Sequence, residues 1–140
     1  MGPGPVRPIL LANTHGGTTH LISDTDYAGW LAFKSLWYSE PRYKGPFLVR
    51  VRRLDGAGAA GLLEDPQTTS FYTPPGPTMN TTDGYREVPG ATWLKTPGCL
   101  AWQVDGLTFS NVIVVRAVCD PPECLLPRER IAEIESARLN

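Results

Sequence analysis

The chain is short of net charge, of histidine and of long apolar runs, and each shortage closes a class of function. Its formal net charge is −1 and only 19% of its residues are charged. No broad basic field therefore exists to attract a phosphate backbone or an anionic membrane, and nucleic acid is not an expected partner. No apolar run approaches the ~20 residues of a membrane-spanning helix, so no span is expected. Two histidines and three cysteines leave little material for a zinc site. Cys119 and Cys124 as a half-site would need two further ligands from elsewhere. None of the patterns G-x-S-x-G, S-x-x-K, H-E-x-x-H or the P-loop occurs, so no familiar catalytic motif is present. Residues Met1 to Pro8 lack a charged start followed by an apolar stretch and do not read as a signal peptide. Val6 stands where a myristoylation signal wants Ser or Thr. The expected location is extracellular or cell-envelope if a leader precedes these residues, and cytoplasmic otherwise.

Glycine and proline are plentiful. With 14 of each they make up a fifth of the 140 residues, against a usual ~12%. Many turns and few long helices follow, which points to β structure. The length suits one domain, large enough to bury a core without a metal or cofactor, and none is expected. Three segments are read: 1–8 as a flexible Gly/Pro arm, 9–118 as a β-sandwich domain, and 119–140 as a Cys/Pro linker with a short C-terminal helix. Ile9 to Ala12 and Thr18 to Ile22 read as two short strands around a turn at Gly16-Gly17. Tyr27 to Tyr38 has some helical spacing, but its Trp, Phe and Tyr residues and the closing Pro41 favour a strand. In Phe47 to Leu54, Phe47, Val49 and Val51 alternate with Leu48, Arg50 and Arg52, the pattern of a half-buried strand. Thr68 to Thr73 and Tyr85 to Val88 are further strands, with Pro74-Pro75-Gly76-Pro77 between them as a stiff, exposed connection. Arg128 to Glu135 has strong helix formers behind Pro127.

The strongest local pattern is Cys99 to Val104, then Asp105-Gly106, then Leu107 to Ala117. Asp-Gly suits a two-residue type I′ turn because both positions need positive φ. That register pairs Val104 with Leu107, Trp102 with Phe109 and Cys99 with Val112. It predicts Trp102, Phe109, Ile113, Val115, Val49 and Val51 as core.

Several motifs invite a functional reading and meet a plainer one. Gly56-Ala57-Gly58-Ala59-Ala60-Gly61 spells G-x-G-x-x-G after a strand. A dinucleotide fold needs a helix to begin there, and only about one turn of chain precedes Pro66, so a flexible Gly/Ala loop is expected. His15, His20, Asp24 and Asp26 share one small region, where a metal or acid–base site is conceivable. Cys99 inside a strand reads as a small hydrophobe before it reads as a nucleophile. Arg50, Arg52 and Arg53, with Arg42 and Lys44, make a basic strip whose ordinary role is a solvated sheet face. Asn80-Thr81-Thr82 meets the glycosylation sequon by letter only. Of Trp30, Trp37, Trp93 and Trp102, most are expected in the core and one or two on a binding surface. In an oxidising compartment, Cys119 and Cys124 are expected to be bonded, with Cys99 the buried free thiol.

Pro97 to Asp105-Gly106, continuing Phe109-Ser110-Asn111-Val112-Ile113-Val114, resembles the C-terminal signature of uncharacterised bacterial proteins that are often exported or lipid-anchored. Trp37-Tyr38, Tyr43 to Arg50 and Arg53 to Gly56 are similar to the same group. The resemblance spans residues 30 to 117. It implies an immunoglobulin-like antiparallel sandwich with Cys99 to Val104 as the penultimate strand and Leu107 to Ala117 as the last. It implies no activity and no site residues.

The expected architecture is thus all-β, a two-layer sandwich of roughly seven to nine strands. The expected function is a non-catalytic binding or interaction module with a protein or carbohydrate partner. Its rival is a small hydrolase or metal-dependent enzyme using His15, His20, Asp24 and Asp26.

Overall fold

A computed structural model describes residues 4–10, 17–23, 27–78, 80–119, 124 and 135–139. Eleven strands run in chain order: β1 (Val6–Leu10), β2 (Thr18–Ser23), β3 (Leu31–Ser39), β4 (Phe47–Arg53), β5 (Ala60–Leu63), β6 (Ser70–Thr73), β7 (Asn80–Thr82), β8 (Tyr85–Val88), β9 (Ala91–Leu94), β10 (Gly98–Gly106) and β11 (Ser110–Cys119). They join in one sheet, ordered β5-β9-β3-β2-β11-β10-β4-β6. Its two ends meet where the turn after β5 returns the chain to β6, the Leu62 amide donating to the Thr68 carbonyl at 2.7 Å. The sheet is thus all-β and nearly closed on itself.

β3 is the axis of one layer. Its odd positions Leu31, Phe33, Ser35, Trp37 and Ser39 are all buried, the period-2 signature of a strand with one face on the core. On one edge β9 pairs with its first half and β8 with its second, separated by Pro89-Gly90. On the other edge β2 and β1 do the same. The opposing layer is β2-β11-β10-β4-β6, in which β2 runs parallel to β11 and the other pairs are antiparallel. Trp37 on β3 meets Trp102 on β10 edge to face, ring centroids 5.5 Å apart. Phe33 closes on Trp102 at 6.0 Å and Phe71 on Trp37 at 6.1 Å. Among the described residues neither of these two indole N–H groups has an oxygen or nitrogen acceptor. The buried hydroxyls of Ser35 and Thr92 answer each other at 3.0 Å.

The predicted core stands: Trp102 and Val49 are fully buried, Ile113, Val115 and Val51 nearly so, and Phe109 is partly buried against them. β4 lies where the alternation placed it, and β6 and β8 lie within the two further strand candidates. Four expectations need correction. Residues 6–8 are not a flexible arm but part of β1, with Val6 fully buried opposite Ser39. β1 and β2 are not partners across a turn, since each pairs with β3. The G-x-G-x-x-G run is a loop only as far as Ala59; Ala60 and Gly61 open β5, and Gly61 is buried beneath Pro66. Finally, β10 and β11 pair Trp102 with Ile113, Val104 with Asn111 and Cys99 with Arg116, so Asp105-Gly106 is not the turn.

Cys119 and Cys124 are disulfide-bonded, Cα atoms 5.5 Å apart, with Cys124 buried in the core cluster. Cys99 is free but half-buried rather than buried. Residues 135–139 are helical; the rest of the expected C-terminal helix lies outside the described residues. Among the described residues no helix is long and apolar enough to cross a membrane.

Candidate functional site

The outer face of the β5-β9-β3 layer carries a groove, and its floor is built from alternation. In the β3–β9–β5 register, Trp93 lies between Ala32 and Gly61, and Ala91 between Lys34 and Leu63. These side chains point away from the core, while Leu31, Phe33, Thr92 and Leu94 point into it. Trp93 is nonetheless only 5% exposed. Its ring is met edge-on by Tyr27 at 5.2 Å, and its indole N–H donates to the Leu63 carbonyl at 3.0 Å. Tyr27 is brought there by a tight turn in which the Trp30 amide donates to the Tyr27 carbonyl at 3.2 Å. Trp30 itself is half-buried under Lys95, whose ammonium sits 5.1 Å from the ring centroid.

Leu63 ends β5 in the left-handed region, φ 64°, which a branched side chain seldom adopts. Three neighbours hold it there. The Trp93 indole takes its carbonyl, the Gly90 backbone passes so close that a Cβ at 90 would stand 2.7 Å from the Leu63 Cα, and Gly90 is itself pinned by the Ser35 amide at 3.1 Å. Backbone strain of this kind persists only where the surroundings determine it, and it is concentrated at binding sites.

Leu63, Glu64 and Pro89 form the ridge between two adjoining cavities. The larger, about 840 Å³, is walled by Ile22, Tyr27, Ala32, Lys34, Leu36 and Trp93 with neighbours. The smaller, about 530 Å³, is walled by Asp65, Thr68, Thr78, Asn80, Glu87 and Val88. Volumes in this range are those of ligand pockets. Both cavities are mainly apolar and share the Glu64 carboxylate, but their other polar groups differ: the first adds one ammonium, Lys34, and the second adds the carboxylates of Asp65 and Glu87, hydroxyls and an amide.

His15, Asp24 and Asp26 lie outside the described residues, and His20 is half-buried on β2 opposite Val118. Among the described residues no three His, Cys, Asp or Glu groups are placed to hold a metal ion. The basic strip is mostly spoken for. Arg50 is paired with Asp105, Arg42 with Glu40, and Arg53 donates to the carbonyls of Asp55, Thr96 and Pro97. Three of the four tryptophans are buried. Asn80 of the sequon is exposed on β7 at the rim of the smaller cavity.

One buried cation went unread in the sequence. Arg86 on β8 is 4% exposed and meets no carboxylate among the described residues. Its guanidinium donates to the carbonyls of Pro74, Gly76, Tyr43 and Gly45 and to the Ser39 hydroxyl, at 2.7–3.2 Å. It also lies over the Tyr43 and Phe47 rings. Burial pushes its pKa below the ordinary arginine value, yet a guanidinium stays protonated. It clamps the Pro-rich connection and the 43–45 turn to β8 and so fixes one end of the groove.

Compared with known proteins, the chain matches no family model and no curated protein sequence.

Proposed function

We propose that the protein is a non-catalytic binding module that seats its ligand in the groove on the outer face of the β5-β9-β3 layer. The observation that carries this reading is the construction around Leu63. A strained backbone, an indole hydrogen bond and a close glycine contact together shape a concavity that the core itself does not require. Among the described residues the walls supply apolar surface, carboxylates, hydroxyls and one ammonium, a composition suited to recognition.

The fold we read as immunoglobulin-like. In support, the first strand positions divide between layers, β1 antiparallel to β3 and β2 parallel to β11. The Trp37–Trp102 contact also spans the layers at the centre, where such domains place their bridging contact. Placement at the cell envelope is supported by the Cys119–Cys124 bond, which suits an oxidising compartment, and by the resemblance of residues 97–114 to exported bacterial proteins.

The test is a screen of short peptides and oligosaccharides against isotope-labelled protein, read by amide chemical shifts. Binders should perturb Tyr27, Lys34, Leu63 and Glu64. Binders that perturb only Val112 and Val114, exposed on the opposite layer, would sink the groove reading, and chemical turnover of a bound compound would sink the non-catalytic one.

A further inference from the structure

We infer that the groove takes an extended peptide segment of a partner protein in which apolar residues are followed by basic ones. This deepens the groove reading above and depends on it. At one end Ile22, Tyr27 and Leu36 present apolar surface, and Ile22 is 49% exposed. At the other, Asp65 and Glu87 line the wall and Glu64 stands on the ridge that both cavities share, and none of the three is in an ion pair among the described residues. Lys34 is the one cationic side chain in either wall among the described residues, and it borders the apolar end. Like charges gathered without a counter-ion repel one another, and a ligand cation relieves that repulsion. An anionic polymer is disfavoured by the same argument.

A polysaccharide fits less well. Sugars stack on rows of open aromatic faces, whereas Trp93 is 5% exposed and Tyr27, 38% exposed and packed against it, is the one partly open ring in the walls among the described residues. The apolar side chains of a peptide need only a concave apolar wall, which is present, and its Lys or Arg then reaches the carboxylates beyond Leu63. Burying the apolar part supplies affinity, and the charges supply register and specificity.

The experiment titrates the labelled full chain with acetyl-Leu-Leu-Lys-Lys-amide, acetyl-Leu-Leu-Glu-Glu-amide and cellohexaose, following the amides of Tyr27, Leu63 and Glu87. The basic peptide should shift all three and lose affinity as salt rises. The doubly substituted Glu64→Gln, Glu87→Gln protein, with an unchanged melting temperature, should bind it about fivefold more weakly. Equal binding of the acidic peptide, or indifference to the glutamine substitutions, overturns the inference. Cellohexaose moving these amides while neither peptide does overturns it too, but leaves the groove reading standing. If no probe moves them, both fall together.

Discussion

The chain contains two Asp-Gly dipeptides inside hairpins, and they do opposite things. Asp83-Gly84 makes the two-residue turn between β7 and β8, with Thr82 opposite Tyr85 and both turn residues at positive φ, 50° and 80°. That is the type I′ geometry Asp-Gly favours. Asp105-Gly106 joins β10 to β11, yet Gly106 is outside the left-handed region and the turn falls beyond it. Asp105 pairs with Ser110, and the Gly106 amide donates to the Phe109 carbonyl at 2.9 Å. Tertiary contacts account for the difference. Phe109 packs edge-on against Tyr43 at 5.0 Å, and the Tyr43 hydroxyl accepts the Leu107 amide at 3.0 Å. A tighter turn would give up both contacts. Where a hairpin is peripheral, local turn chemistry decides. Where its loop can pack, burial decides.

The largest expected effect separates the two hairpins by their depth. Trp102→Ala on β10 removes a fully buried ring that touches Phe33 and Trp37. It should cost about 3–5 kcal/mol, much of what such a domain has. Tyr85→Ala on β8 exchanges a 41%-exposed ring that leans on Tyr38 and should cost about 1 kcal/mol or less. Urea denaturation of both variants measures the gap, and equal losses would put the two hairpins at the same depth.

The glycines sharpen the contrast. At 106 a Cβ would press into the Phe109 ring and stand 2.7 Å from the Tyr43 hydroxyl, so Gly106→Ala should cost about 1–3 kcal/mol by overpacking. At 84 the main obstacle is the backbone, φ 80°, with the Pro41 Cβ 3.1 Å from the added Cβ as a lesser one, and Gly84→Ala should cost about 1–2 kcal/mol. Asparagine distinguishes the causes, because it tolerates left-handed φ but is bulkier than alanine. Gly84→Asn should regain the backbone part of the loss, keeping only the Pro41 contact, and Gly106→Asn should lose more. The reverse order in thermal melts would refute the assignment.

The same contrast explains what could be read from the sequence. Face assignment survived the wrong hairpin register because the shift moves each residue's partner by four positions, an even number. Trp102 faces Ile113 instead of Phe109, and both lie on the core side. β4 was legible because Phe47, Val49 and Val51 alternate without interruption. β9 was not, because Ala91-Thr92-Trp93-Leu94 is buried on both faces, the outer one under the Tyr27 side of the groove, so no alternation shows. β5 was hidden inside a glycine motif. The groove draws its walls from β2, β3, β5 and β9 and from the chain around Pro89, so sequence spacing does not mark it. Its one local trace was Trp93, a large aromatic close after Pro89-Gly90, and nothing local said that it would face outward.

The smallest expected effect lies in the carboxylate of the dipeptide that failed to turn. Asp105 accepts from the Ser110 hydroxyl at 2.5 Å, from Arg50, and from the Gln103 amide at 3.2 Å. Ser110 first, then Arg50, hold its pKa below the ordinary carboxylate value. A depressed folded-state pKa means that the unfolded chain takes up the proton first as pH falls. The stabilisation is therefore complete above the unfolded value of about 3.9 and is lost as pH drops through the lower folded value. Asp105→Asn should be less stable than the parent at neutral pH by about 0.2–1 kcal/mol, since the pair is partly exposed. The two should converge well below pH ~4. Asp83→Asn, whose turn needs only a left-handed backbone that asparagine also adopts, should change neutral-pH stability by no more than about 0.5 kcal/mol. Denaturant midpoints at neutral and strongly acidic pH decide the matter. A gap between parent and Asp105→Asn that stays constant across that range would show that the cross-strand contacts, not the charge, are what Asp105 contributes.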